Sequence, residues 1–160
     1  MPTMTPLPLE FQDLLKSLND HGVQYLVVGG WAVIHYGYVR YTGDIDIWIA
    51  VSPENTTQLA AALMQFCHGR FDPDTVNKKR KTLEMGNPPL RVHIMCDISA
   101  VDFTACQKRH ETAEWDGIPV RIISLADLLT NKRATGRMKD LADVEFFTKY
   151  LKQPHRKRKP

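Results

Sequence analysis

The fold of this chain is decided by two neighbouring stretches, Tyr25-Leu-Val-Val-Gly29-Gly30-Trp-Ala-Val33 and Thr42-Gly43-Asp44-Ile45-Asp46-Ile47. The short apolar run from Tyr25 to Val28 is rich in β-branched residues, which predicts a buried strand. Gly29 and Gly30 end that strand, and a helix is predicted to begin at Trp31. Glycines let a phosphate approach the backbone, and a helix N-terminus favours negative charge. This turn therefore predicts an anion site.

Two acids two residues apart, Asp44 and Asp46, lie on the second predicted strand. Side chains alternate along a strand, so both acids share one face, with their Cα atoms roughly 6.6 Å apart. Both carboxylates can then reach one divalent cation, which would also bind triphosphate oxygens. The alternative is an edge strand with solvated acids on its open face. The glycine turn just upstream favours the metal site.

The order of a glycine pair, a short helix and an acid–hydrophobe–acid strand resembles the signature of the DNA polymerase β-like nucleotidyltransferase superfamily. With Arg40 and Thr42 just before the acids, the pattern is similar to small single-domain nucleotidyltransferases grouped with abortive-infection toxins and lincosamide-modifying enzymes. The resemblance continues over residues 91–103 and 128–144. It implies an α/β (α+β) fold, a minimal nucleotidyltransferase core in which a mixed, twisted sheet of four or five strands carries helices mainly on one face.

The same resemblance assigns roles to the residues of the two stretches. Asp44 and Asp46 are expected to be catalytic and to ligate Mg²⁺ or Mn²⁺. The residues expected to bind the nucleotide here are Gly29, Gly30, Arg40 and Thr42.

The next strand, predicted over residues 90–98, departs from the family pattern at His93. In the resembling enzymes an acid at this position completes a metal-binding triad. His93 could ligate a softer metal or act as a general base, and it is counted with the catalytic residues. It could equally mark a site that binds nucleotide without turnover. By the alternation of side chains, Asp97 would share a strand face with His93, but it lies about 13 Å further along the strand.

A C-terminal helical segment from Leu128 to Val144 resembles the part of these enzymes in which a lysine lies near the nucleotide phosphates. Lys132 or Lys139 is expected to have that role. The alternative is a charged helix face on which Lys139 pairs with Asp143, four residues later. For Arg137 and Asp140 we favour this alternative, a position on the charged surface of the helix, over a role in nucleotide binding.

Length and charge indicate one compact domain over residues 1–152, followed by a basic, disordered tail over residues 153–160. The formal net charge is +3, but without the four cations of residues 156–159 it is 17 basic against 18 acidic residues. The three cysteines show no paired spacing, which predicts reduced thiols in the cytoplasm. Neither a signal peptide nor a membrane span is expected.

The expected activity is metal-dependent transfer of a nucleoside monophosphate from an NTP such as ATP to an acceptor. The acceptor is an RNA or tRNA end, a protein side chain or a small molecule, with a toxin–antitoxin role possible and the oligomeric state open. The first alternative is a catalytically impaired nucleotide-binding or antitoxin-like module, because His93 replaces the third acid. The second is an RNA-binding protein that uses the tail and the basic run over residues 78–81.

Overall fold

A computed structural model describes residues 5–77 and 82–152 of the chain. The basic run over residues 78–81 and the tail over residues 153–160 lie outside the described residues, so the predictions made for them are not tested. Within the described part, no helix combines the length and the apolar composition that crossing a membrane requires.

The described ranges form seven helices and six strands. In chain order the elements are α1 (Leu9–Asp20), β1 (Tyr25–Val28), α2 (Gly29–His35), β2 (Ile45–Ile49), α3 (Pro53–Phe66), α4 (Asp74–Asn77), β3 (Thr82–Asn87), β4 (Leu90–Met95), α5 (Phe103–Arg109), β5 (Glu111–Trp115), β6 (Ile118–Ile122), α6 (Leu125–Thr135) and α7 (Met138–Lys152).

The strands form one mixed sheet in the order β3-β4-β2-β1-β6-β5. β1 is antiparallel to β2 and parallel to β6, while β2 and β4 are parallel. Two antiparallel pairs, β3 with β4 and β5 with β6, complete the edges. The mixed α/β fold is confirmed. The sheet has six strands instead of four or five, because the strand at Thr82 and the hairpin both join it.

Two helix starts and the hairpin turn have geometry that their local sequence explains. Ser52 Oγ accepts a hydrogen bond from Asn55 N at 3.1 Å, and Ser124 Oγ accepts one from Asp127 N at 3.2 Å. In the turn between β5 and β6, the residues at positions 116 and 117 have φ values of 50° and 79°. Such a turn suits an Asp-Gly pair, since both residues tolerate positive φ.

The central strand β2 is buried on both faces over most of its length. Ile45, Ile47 and Ile49 lie on one face and are 0–3% exposed. On the other face Trp48 packs edge to face against Phe103 of α5, with ring centroids 5.1 Å apart. The N-terminal end of β2 carries Asp46 and is the part of the strand that stays open to a cavity. Asp44, which was predicted on the strand, lies directly before its first residue.

Candidate active site

A row of three polar side chains crosses neighbouring strands of the sheet. In the strand register Asp46 of β2 lies opposite His93 of β4, and His93 lies opposite Glu84 of β3. The Nδ1 atom of His93 lies 2.9 Å from Asp46 Oδ1. Its Nε2 atom lies 3.7 Å from Glu84 Oε1 and 3.9 Å from Asp44 Oδ2. His93 therefore lies beside the acid pair, as the resemblance implies.

Glu84 is the one member of this row that sequence reasoning did not select. It lies in the short strand-like run that begins at Thr82, but nothing in that run indicates which strand it pairs with. Asp97, which has the same parity as His93, lies beyond the last residue of β4 and is exposed.

The electrostatics of the row favour the charged imidazolium. The hydrogen bond to Asp46 raises the pKa of His93, burial of the ring opposes this, and the charges of Asp46, Asp44 and Glu84 raise it further. A carboxylate only accepts hydrogen bonds, so Nδ1 is the donor to Asp46. The buried Nε2 atom has no hydrogen-bond partner among the described residues. Of the two ring nitrogens of His93, Nε2 is therefore the one without a hydrogen-bond partner in this part of the structure.

Each glycine of the pair lies so close to a neighbouring side chain that neither position has room for a side chain of its own. Gly29 has φ +66°, and a Cβ atom there would lie 2.0 Å from Asp46 Oδ2. A Cβ atom at Gly30 would lie 2.5 Å from Thr42 Oγ1. Helix α2 begins at Gly29, two residues earlier than predicted, so both glycines belong to its first turn.

A polar cavity of about 380 Å³ opens beside these residues. Six of the predicted site residues line it: Gly30, Thr42, Asp44, Asp46, His93 and Lys139. Arg137, for which the surface reading was favoured, lines it as well. Lys139 is exposed and makes no ion pair in the described part of the chain. Acids and cations thus share one cavity, an arrangement that can hold phosphates and a cation together.

Three predicted nucleotide-binding residues do not line the cavity. Gly29 lies against Asp46, as described above, and the other two, Arg40 and Lys132, bond to α7. Lys132 is 5% exposed, and its Nζ atom lies 2.8 Å from Asp143 Oδ2 and 3.0 Å from Asp140 Oδ1. Arg40 donates two hydrogen bonds to Asp143, at 2.8 and 2.9 Å. Asp143 is 1% exposed, so the predicted surface pair between Lys139 and Asp143 is wrong. The surface reading of Asp140 is wrong as well, since its side chain is 2% exposed.

Asp140 is held in its charged form by the groups around it. Burial raises the pKa of its carboxyl, but hydrogen bonds from Arg137, Thr135 and Lys132 and the charge of Lys132 overcome this and lower the pKa to about 2. Its oxygens lie 3.0 Å from Lys132 Nζ, 2.8 Å from Thr135 Oγ1 and 2.7 Å from Arg137 Nε. Asp140 is therefore a buried anion with three donors.

The donor set fits a divalent cation held by two carboxylates. Asp44 and Asp46 face the cavity with side chains 44% and 21% exposed. The described residues contain no ready group of three His, Cys, Asp or Glu side chains with metal-holding geometry. Mg²⁺ is commonly bound by one or two carboxylates, with water and substrate phosphates as the other ligands. A cavity that also has cations for phosphates suits this mode of binding.

Comparisons with known proteins agree with this geometry at the level of the fold. No protein-family model and no curated protein matches the sequence. The chain is similar in structure to the antibiotic-resistance factor ANT(2″)-Ia, with a TM-score of 0.57 and 13% identity over 89% of this chain and 82% of that chain. An antigenic nucleotidyltransferase-like protein from Paracoccidioides brasiliensis matches with a TM-score of 0.50 and 16% identity, over 88% of this chain and 77% of that chain.

The chain has the nucleotidyltransferase fold. This confirms the fold that the glycine pair and the acid pair predicted. Within the nucleotidyltransferase fold, the cavity lies where β1 passes into α2 and where β2 begins, so the two stretches that suggested the fold also form the site.

Proposed function

We propose that the protein is a metal-dependent nucleotidyltransferase that moves a nucleoside monophosphate from an NTP to an acceptor and releases pyrophosphate. The observation that carries this proposal is the polar cavity, in which Asp44 and Asp46 share one space with Arg137, Lys139 and the backbone of Gly30. Phosphoryl transfer needs little covalent chemistry from a protein, and depends on positioning and on charge stabilisation. The cavity supplies both.

Each group of lining residues has a separate role in this proposal. Asp44 and Asp46 would hold a divalent cation, which when bound would neutralise charge at the transferring phosphorus. Arg137 and Lys139 bind phosphate oxygens. The absence of a side chain at Gly30 lets the phosphates approach the backbone, beside the hydroxyl of Thr42. Gly29 keeps the space in which the Asp46 carboxylate lies.

His93 holds Asp46 in place through its Nδ1–H and leaves Nε2 toward Glu84 and Asp44. A metal bound to Nε2 would displace the proton of the imidazolium. The resulting imidazole beside two carboxylates suits Mn²⁺ better than a third carboxylate would, whereas a third carboxylate suits Mg²⁺. We therefore expect the protein to respond better to Mn²⁺ than to Mg²⁺.

A second candidate is a nucleotide-binding module without turnover. It is favoured by the hydrogen bond from His93, which occupies Oδ1 of Asp46. A metal that binds through Oδ1 would have to compete with this hydrogen bond. This candidate binds the same NTPs but transfers nothing.

The acceptor class is a small molecule, an RNA end or a protein side chain, and a toxin–antitoxin role is compatible with each. Cys67, Cys96 and Cys106 are free thiols in the structure, which supports our proposal of a reducing, cytoplasmic environment.

The test is mass spectrometry of the protein incubated with each NTP, with Mg²⁺ or Mn²⁺ and a cell lysate. We expect an acceptor with an added nucleotide mass in the wild type, no adduct in Asp44→Asn or Asp46→Asn, and an unchanged adduct in Asp97→Asn. Asp97 is the matched control because it is an exposed acid just past β4.

Calorimetric NTP binding and one further variant separate the two candidates. If the wild type binds NTP but gives no adduct, and His93→Asp does transfer a nucleotide, the result supports the binding module. If wild type and His93→Asp bind none of the NTPs with either metal, both candidates are refuted.

A further inference from the structure

A continuous chain of charged hydrogen bonds runs through the buried junction of α6 and α7. Arg137 Nε lies 2.7 Å from Asp140 Oδ2, and Asp140 Oδ1 lies 3.0 Å from Lys132 Nζ. Lys132 Nζ lies 2.8 Å from Asp143 Oδ2, and Asp143 accepts both bonds from Arg40. The three middle members, Lys132, Asp140 and Asp143, are 1–5% exposed.

The two ends of this chain are both connected to the polar cavity. At one end, Arg137 lines the cavity directly. At the other end, Arg40 does not line the cavity but belongs to the segment over residues 36–44, which connects α2 to β2 and contains neither helix nor strand. That segment carries Thr42 and Asp44, which line the cavity. The chain of hydrogen bonds therefore joins one lining residue, Arg137, to the segment that carries others.

An aromatic contact attaches the same segment to α7. Tyr38 stacks on Phe146, with ring centroids 4.0 Å apart and an angle of 9° between the rings, and meets Phe147 edge to face at 6.4 Å. The segment over residues 36–44 is thus bound to α7 at two positions, by a ring stack at Tyr38 and by a bidentate ion pair at Arg40. A bidentate arginine–carboxylate pair fixes orientation as well as distance.

We propose that Arg40, Asp143 and Lys132 are positioning residues, which order the segment over residues 36–44 and thereby set the affinity of the cavity for nucleotide. This inference rests on the proposed function. Charges buried to this degree contribute little net stability but admit few alternative arrangements, which suits a role in fixing geometry. In this assignment the phosphates are bound by Arg137 and Lys139, and Lys132 acts on them only through Asp140 and Asp143.

The test uses Arg40→Met, which removes the ion pair and keeps an unbranched apolar side chain. Removal of a supporting partner behind a ligand-binding group costs on the order of 10-fold in affinity. We therefore expect about 10-fold weaker binding of ATP with Mn²⁺ by calorimetry. In the nucleotide-free protein, amide hydrogen exchange over residues 36–44 should become faster, while exchange in β1 and β2 stays unchanged.

The chain offers a matched control in Arg109→Met. Arg109 also makes a bidentate pair, with both nitrogens 3.0 Å from the oxygens of Asp127, and it joins α5 to α6 away from the cavity. We expect this variant to bind ATP as the wild type does and to leave exchange over residues 36–44 unchanged. If Arg40→Met does not fold, Tyr38→Leu replaces it, since it removes the ring stack and no charge.

Four outcomes decide between the possibilities. Faster amide exchange over residues 36–44 together with weaker ATP binding, seen in Arg40→Met and not in Arg109→Met, supports the proposal. Weaker binding with unchanged exchange would mean that Arg40 contacts the nucleotide itself, which overturns it. Unchanged exchange and unchanged binding overturn it too. If the wild type binds no nucleotide, the proposed function fails. Faster exchange in Arg40→Met would then still show that Arg40 orders the segment over residues 36–44.

Discussion

The close approach of Gly29 to Asp46 makes a quantitative prediction for Gly29→Ala. The new Cβ atom would lie 2.0 Å from Asp46 Oδ2, so the carboxylate must move. The residue also has φ +66°, a left-handed conformation that costs an L-residue about 1–2 kcal/mol. Movement of Asp46 breaks its charged hydrogen bond with His93, which contributes about 1.5–3 kcal/mol. We expect a total loss of about 3–4 kcal/mol in the free energy of unfolding.

A second glycine in the same conformation separates these two contributions. Gly136 ends α6 with φ +65°, and a Cβ atom there would lie 3.9 Å from the nearest atom, Arg133 O. Gly136→Ala therefore has only the conformational cost of about 1–2 kcal/mol. The difference between the two variants, about 2 kcal/mol, measures the displacement of Asp46.

The assay is urea unfolding of wild type, Gly29→Ala and Gly136→Ala at one pH, with free energies from linear extrapolation. NMR titration of His93 gives an independent measurement. In Gly29→Ala the pKa of His93 should fall, because the hydrogen bond that His93 donates to Asp46, which raises this pKa, is lost. Equal destabilisation of both variants, with the pKa of His93 unchanged, would refute the reasoning.

Two further predictions concern pH and the free energy of unfolding of the metal-free protein. Because the folded state raises the pKa of His93, the stabilisation it provides is complete below pH 6.5 and is lost as the pH rises through the folded pKa. Urea unfolding between pH 6 and 9 should show this loss in the wild type and not in His93→Asn. An identical change of the free energy of unfolding with pH in the two proteins would contradict the prediction. The pKa of Asp140 is lowered from 3.8 to about 2, so the folded protein is about 2 kcal/mol more stable at neutral pH than it would be if this carboxyl had its ordinary pKa. That contribution should disappear as the pH falls from about 4 through 2, and Asp140→Asn should lack this part of the acid sensitivity in the same assay.

The elements of the fold could be predicted from the sequence because their causes are local. The apolar run at Tyr25–Val28 is a central strand, and two serines cap helices through backbone groups three residues away. The Asp-Gly turn depends only on the φ values that those two residues tolerate. Periodicity, capping and turn chemistry act over about four residues, and a single sequence contains all of that information.

Part of the site was determined in the same way. The alternation of a strand places Asp44 and Asp46 on one face, and the glycine pair precedes them closely enough to predict a shared site. The position of His93 opposite Asp46 was predicted through a resemblance and not from the residues themselves, since strand register depends on neighbours far along the chain.

Only the tertiary structure decided which charges belong to the cavity. Lys139 and Asp143 have the spacing of a helix-surface pair, yet Asp143 bonds to Arg40, which lies 103 residues earlier in the chain. Lys132 and Lys139 look alike in sequence, but packing of α6 against α7 buries the first and leaves the second exposed beside the acids. A buried carboxylate must be paired, and which cation pairs with it depends on the elements that the fold brings together.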